Sequence, residues 1–250
     1  MTVKTKWIVA DCWIASFDIL GFKNLVNLDG DSFEAICIQE DYEETLDHLE
    51  STSTDYHPGD IDYCWLSDTF VMFSSDDSAK AYTVIQQAAK HFIEKCIYSQ
   101  VPIRGALSVG SFIRSEDNRS LMGNGFIDAF IYGEDQNWLG FLLTPKAIKK
   151  VRSYGLEPSR HDFVCSDEVP MRKCNATDVM AYRFQNGAAN FSSPLLSMLG
   201  AMKSRSGEEY RVKYEKTMNF IEKHYRYIRE TPANNGIDPG MANNATQVKP

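Results

Sequence analysis

The chain lacks the features that mark several large protein classes. No apolar run reaches the ~20 residues that a membrane-spanning helix requires. The longest, 8–20 and 126–143, are broken by Asp11 and Asp18 and by Asp128 and Glu134. The six cysteines (Cys12, Cys37, Cys64, Cys96, Cys165, Cys174) form no C-x-x-C pair and have no histidine at zinc-ligand spacing. That pattern argues against a zinc module and fits reduced, mostly buried thiols in a cytoplasmic protein. There is no excess of positive charge: 26 Lys and Arg stand against 34 Asp and Glu, a net charge of −8. A general nucleic-acid-binding surface, which works by counterion release, is therefore not expected. Repeats and heptads are missing, and residues 1–6 lead into a strand pattern with no small-residue cleavage site, so no signal peptide is expected.

What remains is an ordinary globular composition, 43% hydrophobic and 24% charged over 250 residues, far from the disordered regime. A strand pattern rich in β-branched and aromatic residues runs from Trp7 to Phe17, and Asp18-Ile-Leu-Gly21 ends it. Helical spacing restarts at Phe22 and again over 33–49. Two short apolar runs, 61–66 and 69–73, are separated only by Ser67-Asp68, which predicts a hairpin whose turn lacks the usual glycine. An amphipathic helix is expected over 78–98, a strand over 102–112, a helix over 123–138, a strand over 139–144 and a proline-started helix over 145–154.

This order predicts an α+β fold: a ferredoxin-like βαββαβ core with a mainly antiparallel sheet, helices on one face, and a C-terminal α/β appendage. The expected division is a catalytic core at 1–156, an appendage packed on it at 157–230, and a disordered tail at 231–250.

In such a sheet the strand ended by Asp18 can lie beside the hairpin carrying Asp68, so two carboxylates converge. Paired carboxylates repel unless a cation sits between them, and hard divalent ions with oxygen ligands meet that need. Mg²⁺ or Mn²⁺, two ions per site, would use Asp18, Asp68 and the main-chain carbonyl of Ile19. The backbone N–H groups of Leu20, Gly21, Phe22 and Lys23 would open a helix and cradle an anionic oxygen. The plainer alternative is that Asp18 only caps that helix and Asp68 only fills a turn.

Three segments, Phe17-Asp-Ile-Leu-Gly-Phe22, Leu66-Ser-Asp-Thr-Phe-Val-Met72 and Arg104-Gly-Ala-Leu-Ser-Val-Gly110, resemble the linked motifs of class III nucleotide cyclase catalytic domains. The resemblance spans residues 7–143. The Asp-Ile-Leu-Gly-Phe-Lys form, the Pro-Ile-Arg-Gly strand and 133–138 look most like bacterial anti-phage pyrimidine cyclases of the Pycsar type. The resemblance implies conversion of UTP or CTP to the 3′,5′-cyclic monophosphate by two-metal catalysis, in a homodimer whose sites lie at the subunit interface. A separate effector protein would respond to the cyclic nucleotide; neither nucleic acid nor membrane is an implied partner.

By position, Asp18 and Asp68 match the metal-binding aspartates, Ile19 the carbonyl donor, Phe22 and Lys23 the triphosphate-contacting helix start, and Arg104 an arginine that reaches the β- and γ-phosphates, with Phe17, Ile19, Leu20, Gly21 and Tyr63 also expected to bind substrate. An exposed arginine on a strand face is the alternative for Arg104. Asp128 and Tyr132 stand roughly where purine cyclases carry an Asn and an Arg, which leaves Arg104, Lys23 or a residue from a second subunit as candidates to neutralise the charge that builds on the α-phosphate. Tyr63 and Trp65 are candidates to narrow the base pocket for a pyrimidine, or else core aromatics. A purine or diguanylate-type cyclase, and a silent nucleotide-binding module, remain as alternative readings.

Overall fold

The computed structural model describes residues 6–21, 33–115, 120–184 and 192–230. The Trp7–Phe17 pattern forms a long strand, β1 (Trp7–Ile19), because its residues are apolar at both parities and can be buried on both sides. Helix α1 (Phe33–Thr52) leads to the hairpin β2 (Ile61–Leu66) and β3 (Thr69–Ser74). Helix α2 (Ala79–Tyr98) starts at Ser78, whose side chain accepts the Ala81 N–H, and buries Val84, Ile85, Ala88, Phe92, Ile93 and Cys96 on one stripe. There follow β4 (Ile103–Ser115), β5 (Leu121–Met122), α3 (Asn124–Asp135), β6 (Phe141–Leu143) and α4 (Pro145–Ser153). Thr144 caps α4 and Pro145 occupies its first turn, where a missing N–H costs nothing. The chain ends in β7 (Phe163–Val164), β8 (Met180–Tyr182), α5 (Ser192–Arg205) and α6 (Glu208–Glu230).

The strands form one sheet in the order β2-β3-β1-β4-β6-β8-β7, with β5 paired to β4. Its first four members keep the ferredoxin-like arrangement, and only β4–β6 pair in parallel. The fold is thus α+β with a mainly antiparallel sheet, as the element order predicts.

One expectation needs correction. Helices do not cover one face only, because α3 lies on the other side. A Cβ added to Gly125 would stand 2.5 Å from the Ile14 side chain, and Ile14 belongs to a second apolar cluster with Cys12, Val71, Phe73 and Phe112. The cause is visible in β1, where Cys12 and Ile14 on one parity need cover as much as Trp13, Ala15 and Phe17 on the other. The C-terminal part joins the same sheet and core. Strand β8 pairs with β6, the Phe220 ring of α6 packs 4.4 Å from Trp138, and Thr217 accepts the Leu139 N–H at 2.8 Å. Helix α5 was not expected from the sequence, and the proposed tail at 231–250 lies outside the described residues.

All six cysteines are free, four of them buried. Among the described residues no helix is long and apolar enough to cross a membrane.

Candidate active site

The register of β1 places Asp18 opposite Thr69 on one side and opposite Arg104 on the other. Asp68, one residue before Thr69, is tied to the same spot by its carbonyl, which accepts the Ile19 N–H at 2.9 Å. Among the described residues no return bond reaches the Ile19 carbonyl. The strand ends therefore bring Asp18, Ile19 and Asp68 together, as the spacing implies.

The hairpin turn is strained where the missing glycine suggests it should be. Ser67 has φ 57°, a left-handed position that side chains other than glycine occupy at a cost of about 1–3 kcal/mol. The indole N–H of Trp65 donates to the Ser67 carbonyl at 2.6 Å and holds the turn. Gly21, at φ 74°, supplies the second left-handed residue, where β1 ends.

Asp18 and Asp68 differ in their surroundings. The Asp18 Oδ2 receives the Arg104 Nε–H at 2.8 Å and lies 2.6 Å from Nη2. The remaining Arg104 nitrogen donates to the carbonyls of Glu134 and Gln136 at 2.8 and 2.6 Å, at the C-terminal end of α3. Arg104 is only 5% exposed and Asp18 15%. Such a pair is expensive to desolvate and stable only because every guanidinium nitrogen has a partner. By contrast, the Asp68 carboxylate and the Asp18 Oδ1 meet no donor among the described residues.

The unpartnered oxygens are hard donors of the kind that magnesium and manganese take. With the Ile19 carbonyl they fit a divalent ion, although among the described residues no group of three or more His, Cys, Asp or Glu gathers.

Other expected site residues fall elsewhere. Phe17 is fully buried, its ring 5.0 Å from Phe92 and 5.7 Å from Phe141, so it touches no ligand. Leu20 cannot help to cradle an anion, because its N–H donates to the Pro102 carbonyl at 2.8 Å. Phe22 and Lys23 lie outside the described residues. Arg104 is not an exposed strand arginine, and its guanidinium is committed to Asp18 and α3 rather than open to a phosphate.

Tyr63 pairs in register with Met72, and Trp65 with Phe70. This parity puts both on the face of Phe17 and away from that of Asp18. There the Tyr63 ring lies tilted 4.6 Å from Tyr42 and stacks 5.3 Å from Phe70, as a core aromatic does.

Asp128 accepts the Ser108 hydroxyl at 2.6 Å and stands 3.8 Å from the Lys146 ammonium. Tyr132 lies one turn further along α3, its phenol pushed above the usual range by burial and then by Cys174 and Asp128.

Gly105 and Gln136 support the site without being expected from the motif alone. A Cβ at Gly105 would stand 2.4 Å from the Phe17 ring, and the Gln136 amide donates to the Gly105 carbonyl at 2.8 Å. Glycine beside Arg104 thus lets the Phe17 ring lie flat against β4 while α3 ends directly over it. Two basic residues from the C-terminal part, Arg172 and Lys213, also act electrostatically at this end of the sheet. Sequence reasoning missed both.

No family model and no curated protein matches the chain. Among solved structures it is similar to the monomeric guanylyl cyclase domain of the RhoGC fusion protein from the aquatic fungus Blastocladiella emersonii, with 13% identity and a TM-score of 0.46 over 65% of this chain and 91% of that one. It is similar too to the guanylyl cyclase Cya2, with 10% identity and a TM-score of 0.44 over 70% and 92%. A class III adenylyl cyclase-like ATP-binding protein from Pseudomonas aeruginosa aligns over 90% of this chain and 45% of its own, with 11% identity and a TM-score of 0.36.

Proposed function

We propose that the chain is a nucleotidyl cyclase that converts a pyrimidine nucleoside triphosphate, UTP in preference to CTP, to its 3′,5′-cyclic monophosphate. The observation that carries this reading is the meeting of Asp18, the Ile19 carbonyl and Asp68 at adjacent strand ends, with carboxylate oxygens that no protein group satisfies. The Asp68 carboxylate, with no protein partner among the described residues and beside a strand end where a buried arginine holds Asp18, has no evident structural task.

The reaction is an in-line attack of the ribose 3′-oxygen on the α-phosphorus. The new P–O bond forms as the bond to the β-phosphate oxygen breaks, pyrophosphate leaves, and the hydroxyl proton passes to solvent. Asp18 Oδ1, Asp68 and the Ile19 carbonyl would hold Mg²⁺ or Mn²⁺, which supplies charge neutralisation for the triphosphate and acidifies the attacking hydroxyl. Arg104 holds the Asp18 carboxylate in one rotamer and anchors β4 to the end of α3, so the carboxylate needs no reorganisation when the nucleotide arrives. The strained turn fixes Asp68 in the same way.

The pyrimidine preference and a role as second-messenger synthase in anti-phage defence rest on the motif resemblance of Asp18–Lys23, Pro102–Gly105 and Gly133–Trp138. A homodimer with shared sites is supported by Ile127 and Ile131, which are 53% and 51% exposed. They stand one turn apart on the outer side of the helix that carries Asp128 and Tyr132, an apolar stripe suited to a second copy. The test is incubation of the protein with each of the four nucleoside triphosphates and Mn²⁺, with products identified by mass. Cyclic UMP or cyclic CMP is expected, and the absence of any cyclic product would overturn the reading.

A further inference from the structure

The sheet ends at β7, four strand spacings, or about 19 Å, from β1. At that edge lies a cavity of about 650 Å³, lined by residues of α4, β7, β8 and their connections. Its size falls within the roughly 300–1,000 Å³ usual for small-molecule sites. None of the residues that build the Asp18 site lines it.

The sequence makes its walls from separate places. Along α4, Pro145, Ile148, Lys149 and Arg152 fall at the i, i+3, i+4 and i+7 spacing of one helix face and all line the cavity. Ala147 and Val151, off that face, are fully buried in the core. Pairing of β7 with β8 sets Phe163 opposite Tyr182, and one step outward the Arg183 N–H donates to the Asp162 carbonyl at 2.8 Å. This step brings Arg183 to the loop that carries Arg160. Between the charged groups the lining is apolar, with Ile148, Val164 and Met180.

Charge in the cavity runs against that of the chain. Four cations line it, Lys149, Arg152, Arg160 and Arg183, against two carboxylates, Glu157 and Asp178, in a protein whose net charge is −8. Glu157 is already taken, since both of its oxygens accept from the Arg152 Nε at 3.1 Å. Lys149 and Arg160 form no ion pair among the described residues. Arg183 is only 8% exposed, so an anion that reaches its guanidinium interacts through little water, where a charge-assisted hydrogen bond is strongest. Planar guanidinium groups match the oxygens of a phosphate, and the apolar lining takes an organic body. Inorganic phosphate alone would leave most of the volume empty.

We propose that this cavity binds a phosphorylated small molecule of nucleoside-monophosphate size. Arg160, Arg183 and Lys149 hold its phosphate, and its body lies against Ile148, Val164 and Met180. The site is separate from the paired carboxylates and does not rest on the cyclase reading.

The test titrates UMP and AMP into the full chain in EDTA, which removes any divalent ion that the paired carboxylates could use, and follows binding by calorimetry. Cysteine alkylation gives a second readout. Cys165 is exposed and lines the cavity, whereas Cys174, the other cysteine that is not buried, does not line it. At least one nucleotide should saturate and slow the alkylation of Cys165, mapped by mass, with Cys174 unchanged and with inorganic phosphate protecting less. Arg160→Ala and Lys149→Ala, both at exposed positions, should each weaken binding about 10-fold, the loss of one charge-assisted contact. Asp68→Asn should leave it unchanged. Arg183→Met should weaken binding most, and if that variant unfolds the two exposed positions decide. No saturation by either nucleotide, unaltered Cys165 reactivity, or wild-type affinity in the Arg160→Ala and Lys149→Ala double variant overturns the proposal. Affinity lost in Asp68→Asn would put the nucleotide in the carboxylate site and overturn it as well. Binding of this kind in a chain that cyclises no nucleotide would refute the cyclase reading and leave this site standing.

Discussion

On the face of the sheet that Phe17 enters, rings from β1, β2, β3 and α2 fill the space: Phe17, Tyr63, Phe70 and Phe92 pack with centroids about 5 Å apart. On the face that Asp18 enters, one residue later in the chain, the neighbours are Arg104, Ser16, Ser108 and Asp128, under the single helix α3. The first face is dry and self-sufficient, and its stability comes from apolar area at about 25 cal/mol per Å². The second is apolar at its far end, where Cys12, Ile14, Val71, Phe73 and Phe112 cluster, and near Asp18 it is held by directional bonds whose partners must all be present. Substitutions on the aromatic face should therefore act on folding, whereas those at the outer end of the polar face should act on chemistry alone. Arg104, on the polar face opposite Asp18, is the exception and acts on both.

The largest effect is expected at that junction. Arg104→Ala leaves the Asp18 charge and the Glu134 and Gln136 carbonyls without donors in a site that is largely closed to water. It should cost about 3–5 kcal/mol in a denaturant titration. A loss below about 1 kcal/mol would mean that water already satisfies these groups and that the two faces differ less than their packing suggests. Gly105→Ala should cost about 1–3 kcal/mol, because its Cβ would meet the Phe17 ring at 2.4 Å and the Ser16 carbonyl at 2.8 Å. A neutral result in the same titration would show that the ring can move aside.

The smallest effect sharpens the comparison in the other direction. Tyr63→Leu should lower the melting temperature by a few degrees, on the order of the 1–2 kcal/mol lost when aromatic contacts are trimmed. It should leave the ratio of UTP to CTP turnover within about twofold of the wild type, since the ring lies across the sheet from Asp18. A changed ratio in a competition assay would place the base on the aromatic face.

Much of this arrangement was legible in the residues. The meeting of Asp18 and Asp68 follows from a strand that stops at an aspartate and a two-residue hairpin turn, and the ferredoxin-like order of β1 to β4 follows from the element sequence. The side of the sheet that each residue enters was less accessible, although the signal existed. Once Leu66 faces Thr69 across the turn, parity alone sends Trp65 and Tyr63 to the face of Phe70. The Asp18–Arg104 pair depends on the long β1–β4 register, which no local pattern states. Lys213 was hidden because α6 reads as a charged helix. Only the spacing of Tyr214, Thr217, Phe220 and Ile221, all buried, marks its inner stripe.

The central claim is that Asp68 is held for chemistry and contributes nothing to folding. It is tested most directly by Asp68→Asn, with thermal unfolding and Mn²⁺-dependent cyclic nucleotide formation measured on the same preparation. The substitution removes a charge that has no protein partner among the described residues, so the melting temperature should stay within the shift expected of about 0.5 kcal/mol. Cyclic UMP and cyclic CMP should fall below detection by mass. Wild-type turnover in the variant would contradict the two-carboxylate site.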